Sequence, residues 1–356
     1  MFKDISIPRL LISFGITLVC VFIVAIGVYA AMIMFFQAPE VPTHAEVILH
    51  DPSSSEPVQI ETVMPDGTVI ISYEEEDDTP VVTVIMPRKR DFFTFLIFAI
   101  DHGNNVDALM VASFDTNSGE VNLISMPRDT RILSDRRLSK LVSGYSAGRI
   151  GGGGHEGGVA QVMADVQSLI GFLPDFYVSV DFAGFERLID AVGGVEVTVP
   201  FNMQYTDPTQ NLFISINAGT QTLSGRRALH FARYRYGDPG FRSVTDYARM
   251  EHQQMIISSV ANDLLSPRMI LQIPNLINIY SEHVNTNLTI TEKLWFAARV
   301  SRIDGGINMY TLPIAGTSGA PMWYELPDLN GILELVNETV NPFLREITAE
   351  MVRINP

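Results

Sequence analysis

The sequence predicts an α/β domain that is preceded by one N-terminal transmembrane helix. A charge-free apolar run at 10–36 is long enough to cross a hydrocarbon core of about 30 Å. From about residue 91 onward, short apolar or alternating runs typical of strands occur between segments of helical periodicity. The segment 176–199 shows this order most clearly, since it predicts a strand, a helix and a second strand.

The N-terminal region is predicted to be an uncleaved signal anchor. Lys3 and Arg9 precede the apolar run 10–36, and the next cationic residue after it is Arg88. The positive-inside rule therefore places 1–9 in the cytoplasm and the rest of the chain outside the cell. A cleaved signal peptide is the alternative, but the run is longer than a usual signal core and no small-x-small site follows it closely. We expect a single-pass protein of the cell membrane.

Composition limits what the outer part of the chain can do. The single cysteine, Cys20, lies inside the predicted membrane span, which leaves no disulfide and no thiol chemistry outside it. The 47% of hydrophobic residues is enough for a large core that holds the domain together instead. A formal net charge of −16 disfavours nucleic acid as a partner.

The segment 37–90 differs in character from its neighbours. Its many prolines, the serine run at 53–55 and the acidic block at 74–78 indicate a stalk. The runs 58–63 and 68–73, joined by Met-Pro-Asp-Gly, are also compatible with a small accessory hairpin. Both interpretations stay open at this point.

The main domain is predicted at 91–325, and its first strand ends in an acidic residue. The apolar run FFTFLIFAI at 92–100 is typical of a strand buried on both faces, and Asp101 follows it directly. Asp107 comes after a short polar loop. Carboxylates near the carboxyl end of a strand suit Mg²⁺, which shares its coordination with substrate phosphates. The alternative is that both aspartates shape turns.

A glycine-dense segment at 144–158 follows Lys140 and precedes an amphipathic stretch at 159–170. Backbone N–H groups of such a loop could bind anionic oxygens at a helix start. A mobile lid is an equal alternative, because the segment does not fit the Walker A pattern. His155 within it is interpreted as a solvated loop histidine.

Cationic residues concentrate between 228 and 254. Arg233 and Arg235 are two apart in a β-prone run, so an extended chain would direct both side chains to one face. Asp246, Arg249 and Gln253 recur at i, i+3 and i+7, which is one face of a helix. Guanidinium forks match phosphate oxygens, so the group suits a pyrophosphate. Ordinary surface ion pairs with neighbouring acidic residues are the alternative.

The remainder of the chain is predicted to complete the domain. A small-residue loop at 315–320 and Trp323 either border the site or close the domain. From about residue 267 onward we predict helices at 269–279 and 291–300, a strand at 308–313, and a helix from about 327 to 348 within a C-terminal segment, 326–356, that packs on the domain.

Five separated segments, in this order, resemble the LytR-CpsA-Psr family over about 91–270. They are SMPRDT at 125–130, the glycine-rich segment after Lys140, and the runs 177–200, 217–235 and 246–254.

The resemblance implies a fold and an activity. The fold is α/β, with a central mixed β-sheet flanked by helices. The activity is that of a membrane-anchored phosphotransferase, which moves a glycopolymer of the teichoic acid or capsular polysaccharide type from an undecaprenyl-pyrophosphate carrier to peptidoglycan. Two alternatives remain, a polyprenyl-pyrophosphate phosphatase and a non-enzymatic polyprenyl-phosphate sensor or regulator.

The resemblance also implies residue roles. Asp246 would orient the neighbouring arginines, and Ala99 stands where the family usually has glycine. Asp101 and Asp107 would hold Mg²⁺. The pyrophosphate ligands that the resemblance implies are Arg128, Arg233, Arg235, Arg249 and Gln253, and Lys140 is a further candidate for the same role.

Overall fold

The computed structural model describes residues 38–41, 44–50, 71–76, 79–101, 104–264, 283–303, 305–319 and 322–354. The predicted membrane anchor at 10–36 and the predicted helix at 269–279 lie outside these ranges. Within them, no helix combines the length and apolar character needed to cross a bilayer.

The described strands are mostly short. They are β1 (His44–His50), β2 (Ile71–Glu76), β3 (Thr79–Pro87), β4 (Phe92–Ile100), β5 (Val106–Asp115), β6 (Val121–Ser125), β7 (Phe176–Asp181), β8 (Val195–Val199), β9 (Met203–Asp207), β10 (Leu212–Ile216), β11 (Gly219–Leu223), β12 (Val284–Thr286), β13 (Ile307–Thr311), β14 (Ile314–Thr317) and β15 (Glu325–Pro327).

The described α-helices range from one turn to five. They are α1 (Gly144–Gly148), α2 (Gly154–Ile170), α3 (Phe182–Val192), α4 (Gly225–Arg233), α5 (Asp246–Leu264), α6 (Ile290–Arg299) and α7 (Leu329–Thr339).

The chain divides into two compact units. The smaller unit comprises Met1–Glu40 and Leu288–Ser301, and its described helix α6 begins with a capping box between Thr289 and Glu292. The larger unit comprises Val41–Asn287 and Arg302–Pro356.

A six-stranded sheet forms the centre of the larger unit, in the order β12-β7-β4-β5-β6-β13. The pairs β4–β7 and β6–β13 are parallel, whereas β4–β5, β5–β6 and β7–β12 are antiparallel. The predicted mixed sheet is thus confirmed, and its first strand has the predicted bounds.

Helices cover both faces of this sheet. Val111 of β5 packs in one cluster with residues of α2 and α7, including Val166 and Val336. The next residue towards the N-terminus, Met110, packs in a cluster with Ile257 of α5. Since successive strand residues point to opposite faces, α5 lies on the face opposite α2 and α7.

A second core lies beside the sheet. The strand pairs β8–β11 and β9–β10 contribute alternate side chains to a cluster that also contains Phe231 of α4 and Ile256 of α5. This cluster fixes α4 against α5, and these two helices carry Arg233 and Arg249.

The segment 37–90, predicted as a stalk or hairpin, contains a three-stranded antiparallel sheet in the order β1-β3-β2. The first three residues of the acidic block, 74–76, are part of this sheet, because β2 ends at Glu76. Of the two runs considered for a hairpin, 58–63 and the first part of 68–73 lie outside the described residues.

The structure corrects the prediction for the glycine-rich segment, which is helical rather than a loop. It forms α1, a π-helical turn at Arg149–Gly153 and the start of α2. A Cβ on Gly148 would collide with the carbonyl of Gly157. Gly148 and Gly157 therefore permit close packing between α1 and α2.

The C-terminal helix is shorter than predicted. α7 begins after the N-cap Asp328 and ends at Thr339, well before residue 348. The Asn341-Pro342 pair explains the early end, because the residue before a proline is disfavoured in helical conformation.

Candidate active site

A β-bulge presents Asp107 at the end of the β4–β5 hairpin. Ala99 pairs with Ala108 while Ile100 pairs with Val106, so Asp107 is the extra residue of β5 at this register shift. Bulges change the direction of a side chain relative to a regular ladder. Asp107 therefore leaves the ladder pattern and meets two arginines.

Arg128 and Arg249 bind the same oxygen of Asp107. The Arg128 Nη1 and Arg249 Nη1 atoms lie 2.9 Å and 3.3 Å from Asp107 Oδ1. Arg128 follows β6, and Arg249 lies one turn into α5, so the pair joins the sheet edge to the helix.

Asp246 closes this ion-pair network from the first turn of α5. Its Oδ1 lies 2.9 Å from Arg249 Nη2 and 3.6 Å from Arg128 Nε. Neither carboxylate oxygen has a hydrogen bond of good geometry, although the side chain is only 10% exposed. The contacts are thus mainly electrostatic, and the position at a helix N-terminus further stabilises the negative charge.

Arg249 is the most buried member of the network, with 4% of its side chain exposed. Burial lowers the pKa of its guanidinium, and the carboxylates of Asp107 and Asp246 act in the opposite direction. An arginine stays protonated in either case. Arg128 and Arg235 also lower the pKa of Arg249, which shows that cationic charge is concentrated here.

Arg233 and Arg235 flank a fully buried tyrosine. Arg233 is the last residue of α4 rather than a strand residue, and Tyr234 donates a hydrogen bond to the Arg242 carbonyl at 2.7 Å. Because Tyr234 points inward, both arginines remain partly exposed.

Arg233 lies near the carboxyl ends of the central strands. Its guanidinium carbon is 4.6 Å from the centroid of the Phe182 ring. Phe182 directly follows Asp181, whose partner across the sheet is Ile100, the last residue of β4. The side chain also donates a 3.0 Å hydrogen bond to Gln210.

Two other predicted pyrophosphate ligands have protein partners. Lys140 Nζ donates to Asp129 Oδ1 at 2.9 Å and lies over the Tyr324 ring. Gln253 is buried, with its amide nitrogen 3.4 Å from the Ala232 carbonyl oxygen. Gln253 therefore supports the contact between α5 and α4, and Lys140 is bound at the edge of the arginine network.

The predicted metal ligands lie at the same end of the β4–β5 hairpin. Asp101 caps the turn between the strands by accepting a 2.8 Å hydrogen bond from the Asn105 N–H. No group of three or more His, Cys, Asp or Glu side chains with metal-site geometry occurs among the residues described. Two carboxylates still fit Mg²⁺, which commonly takes one or two from the protein and fills its octahedron with phosphate oxygens and water.

Sequence reasoning missed Glu325, which the fold brings to this site. Glu325 forms a parallel bridge with Thr130 and donates its N–H to the Asp129 carbonyl at 3.0 Å. Burial raises the pKa of Tyr247, in the first turn of α5, and the Glu325 carboxylate raises it further. A separation of almost 200 residues left no local signal for this position.

Comparison with known proteins identifies the family. The family model of the LytR_cpsA_psr family matches residues 66–338. The chain belongs to the LytR_cpsA_psr family. The network of Arg128, Arg249, Asp107 and Asp246 falls within the matched region.

Two members of the LytR_cpsA_psr family illustrate the range of names among its relatives. The chain is 29% identical over 274 residues to the polyisoprenyl-teichoic acid–peptidoglycan teichoic acid transferase TagV of Bacillus subtilis, covering 73% of this chain and 66% of TagV. It is 27% identical over 185 residues to the regulatory protein MsrR of Staphylococcus aureus, covering 52% of each. The matches thus span between about half and two thirds of these relatives' length.

The fold is also that of a solved family member. The crystal structure of B. subtilis TagV resembles this chain with a TM-score of 0.57 at 26% identity, covering 75% of this chain and 100% of the TagV chain.

Proposed function

We propose that the protein is a membrane-anchored phosphotransferase, which moves a glycopolymer from a polyprenyl-pyrophosphate carrier to peptidoglycan. The observation that carries this proposal is the partly buried network in which Arg128 and Arg249 bind Asp107 and Asp246. The transferase name of TagV supports it. The apolar run 10–36 would place the catalytic unit outside the cell, attached to the cell membrane.

The network suits phosphoryl transfer because its charges are fixed before the substrate arrives. In the proposed reaction, a hydroxyl of the acceptor attacks the phosphorus that carries the glycopolymer, and prenyl phosphate leaves. Negative charge then grows on the phosphoryl oxygens and on the leaving group. Guanidinium groups already held by carboxylates stabilise this charge without reorganising, which accounts for much of the catalysis at such sites.

The arginines divide into two sets. Arg128 and Arg249 are held by carboxylates, so they position the site and present their remaining N–H groups to one phosphate. Arg233 and Arg235 are partly exposed, and no salt bridge of either appears in the described structure. Because no carboxylate holds them there, we assign these two to the second phosphate of a pyrophosphate.

Asp101 and Asp107 are the residues that would hold Mg²⁺. A bound Mg²⁺ would neutralise charge on the phosphate oxygens. The chain itself contributes the turn hydrogen bond from Asn105, which fixes the Asp101 side chain.

A turnover assay of the full chain in detergent tests the proposal. The substrates are a lipid-pyrophosphate-linked saccharide and peptidoglycan fragments, and the reaction is run with Mg²⁺ and with a chelator. We expect saccharide on peptidoglycan, loss of product with the chelator, and at least a 10-fold loss of turnover in Arg233→Ala. Arg226→Ala is the matched control, because Arg226 is an exposed arginine on the same helix and should keep wild-type turnover.

The assay also separates the alternatives. Free phosphosaccharide without any peptidoglycan product would indicate a phosphatase. The name of MsrR favours a regulatory role as the second candidate function. That role predicts lipid binding with no turnover in the wild type, and such a result would contradict the transferase proposal.

A further inference from the structure

Glu325 lies beside the segment that carries Arg128, although the two residues are far apart in the sequence. Glu325 is the first residue of β15, which pairs with β14. Its backbone also forms a parallel bridge with Thr130, in the segment after β6. The backbone carbonyl of Glu325 accepts a 2.8 Å hydrogen bond from the Arg131 N–H, and the Glu325 N–H donates to the backbone carbonyl of Asp129 at 3.0 Å. These bonds fix its Cα next to the segment that carries Arg128.

The Glu325 side chain is uncommitted although it lies among charged groups. Across the ranges that the structure describes, its carboxylate forms no hydrogen bond and no salt bridge, and the residue is partly exposed. Burial raises the pKa of this carboxyl, the charges of Asp246 and Asp129 raise it further, and Lys140 lowers it. The other ionisable neighbour is Tyr247, whose own pKa is raised by burial and by Glu325.

The charges at the site distinguish the side on which the lipid-linked donor substrate would bind from the side on which the acceptor hydroxyl would bind. Arginines attract the phosphates of a lipid-linked donor, whereas a concentration of carboxylates repels them. Asp129 is paired with Lys140 at 2.9 Å, so the charge of Glu325, which has no salt bridge in the described structure, is the one that disfavours a phosphate more than an uncharged hydroxyl on this side. Tyr247 of α5 and Trp323, which lies two residues before β15, are 38% and 65% exposed, so this side is open to solvent.

We propose that Glu325 is the proton acceptor for the attacking hydroxyl, an inference that rests on the proposed transferase function. The acceptor oxygen forms a bond to the phosphorus that carries the glycopolymer. The bond from this phosphorus to the bridging oxygen breaks, and prenyl phosphate leaves with the electron pair. The hydroxyl proton passes to the Glu325 carboxylate, which later releases it to water. The product is a phosphodiester between glycopolymer and acceptor.

This role explains why a carboxylate is left without partners at the site. A base must be deprotonated before the reaction and is most effective when its pKa approaches the working pH. Asp107 and Asp246 do not meet this need, since both are bound to guanidinium groups. Glu325 is near enough to Asp246 for that charge to raise the pKa of its carboxyl, it forms no salt bridge in the described structure, and it is partly exposed.

The test compares Glu325→Gln and Glu325→Asp with wild-type full-length protein. We expect Glu325→Gln to lower kcat by roughly 100-fold or more, the usual contribution of a general base. Its affinity for the lipid-linked donor should change by less than about twofold. The rise of kcat with pH on the acidic side should disappear in Glu325→Gln and survive in Glu325→Asp. Glu338→Gln, an exposed glutamate of α7, is the matched control and should match the wild type.

The possible outcomes are distinct. Wild-type kcat and an unchanged pH profile in Glu325→Gln would overturn the inference while leaving the transferase proposal intact. A loss of donor affinity or melting temperature, with the pH profile unchanged, would assign Glu325 a structural role and also overturn it. A wild-type protein that releases no prenyl phosphate, with either acceptor or water, would overturn both proposals.

Discussion

His252 shows at the level of one residue how the fold holds α5 in place. Its imidazole is 4% exposed and stacks on Phe231 at 4.4 Å between ring centroids. The Nδ1 atom has no hydrogen-bond partner, and burial lowers the pKa of His252 to about 4. The neutral ring thus acts as an aromatic core residue between α4 and α5, next to Arg249 and Gln253.

We expect His252 to make the protein sensitive to acid. The unfolded chain binds a proton with a pKa near 6.5, and the folded chain only near 4. The contribution of the neutral imidazole to the free energy of unfolding is therefore fully present above pH 6.5. It is lost as the pH falls towards 4, by up to about 3 kcal/mol. Between pH 7 and pH 4.5, the free energy of unfolding of the His252→Phe variant, measured by urea denaturation, should fall less than that of the wild type. Equal losses in both proteins would contradict this.

The ion pairs of the site illustrate a second residue-scale principle. Arg249 is buried with two carboxylates at its guanidinium, so its charge is compensated before any ligand binds. A buried pair adds little net stability, but the loss of one partner leaves an uncompensated charge. Variants of the partly exposed Arg233 are therefore better tests of function than variants of Arg249.

At the scale of elements, the glycine-rich segment allows α1 and α2 to pack closely against each other. Tyr145 of α1 hydrogen-bonds His155 of α2 at 2.8 Å, and its ring lies against Gly158. A Cβ at Gly158 would lie 2.6 Å from the Tyr145 ring. His155 is thus a partner of Tyr145, which corrects its interpretation as a solvated loop histidine.

We predict opposite effects for two Gly→Ala substitutions in this segment. Gly158→Ala should lower the free energy of unfolding by about 1–3 kcal/mol, the usual cost of overpacking. Gly151 has open space around its Cα and a negative φ, so Gly151→Ala should be neutral or stabilise the helical turn by up to about 1 kcal/mol. Thermal and urea denaturation of both variants provide the measurement. A tolerated Gly158→Ala would show that α1 and α2 are not held at this distance.

At the scale of the larger unit, a buried ion pair joins distant parts of the chain. Arg88 Nη2 lies 2.7 Å from Asp175 Oδ2, and both side chains are at most 5% exposed. The same carboxylate oxygen accepts hydrogen bonds from Thr94 N–H and Oγ1. Arg88 also forms a β-bridge with Phe343. The start of β4, the start of β7 and the C-terminal segment therefore meet at one point.

We expect Asp175→Ala to cost about 3–5 kcal/mol, because it leaves the Arg88 guanidinium buried without a counter-charge. Asp135→Ala is the control, since Asp135 is exposed and its loss should change stability by less than about 0.5 kcal/mol. The free energies are measured by urea denaturation. The double variant Arg88→Met, Asp175→Leu should recover most of the loss, whereas equal instability of the single and double variants would contradict the role of the unpaired charge.

The sequence by itself determined the parts of this protein that depend on local patterns. The apolar run 92–100 predicted β4 with its exact bounds, and the i, i+3, i+7 spacing placed Asp246 and Arg249 on one helix face. Side-chain chemistry then indicated phosphate binding near Arg233. The strand and the helix face were predicted correctly because strand burial and helical periodicity are properties of short segments, whereas phosphate binding stays a prediction.

Only the tertiary structure decided how the site is assembled. Asp107 meets Arg249 across 142 residues because a bulge turns it out of the β5 ladder. Glu325 reaches the site through its bridge to Thr130, and the glycine-rich segment is helical because α1 and α2 pack closely. Strand order, register and helix packing arise from contacts between residues far apart in the chain, and the pattern within any single segment does not encode them.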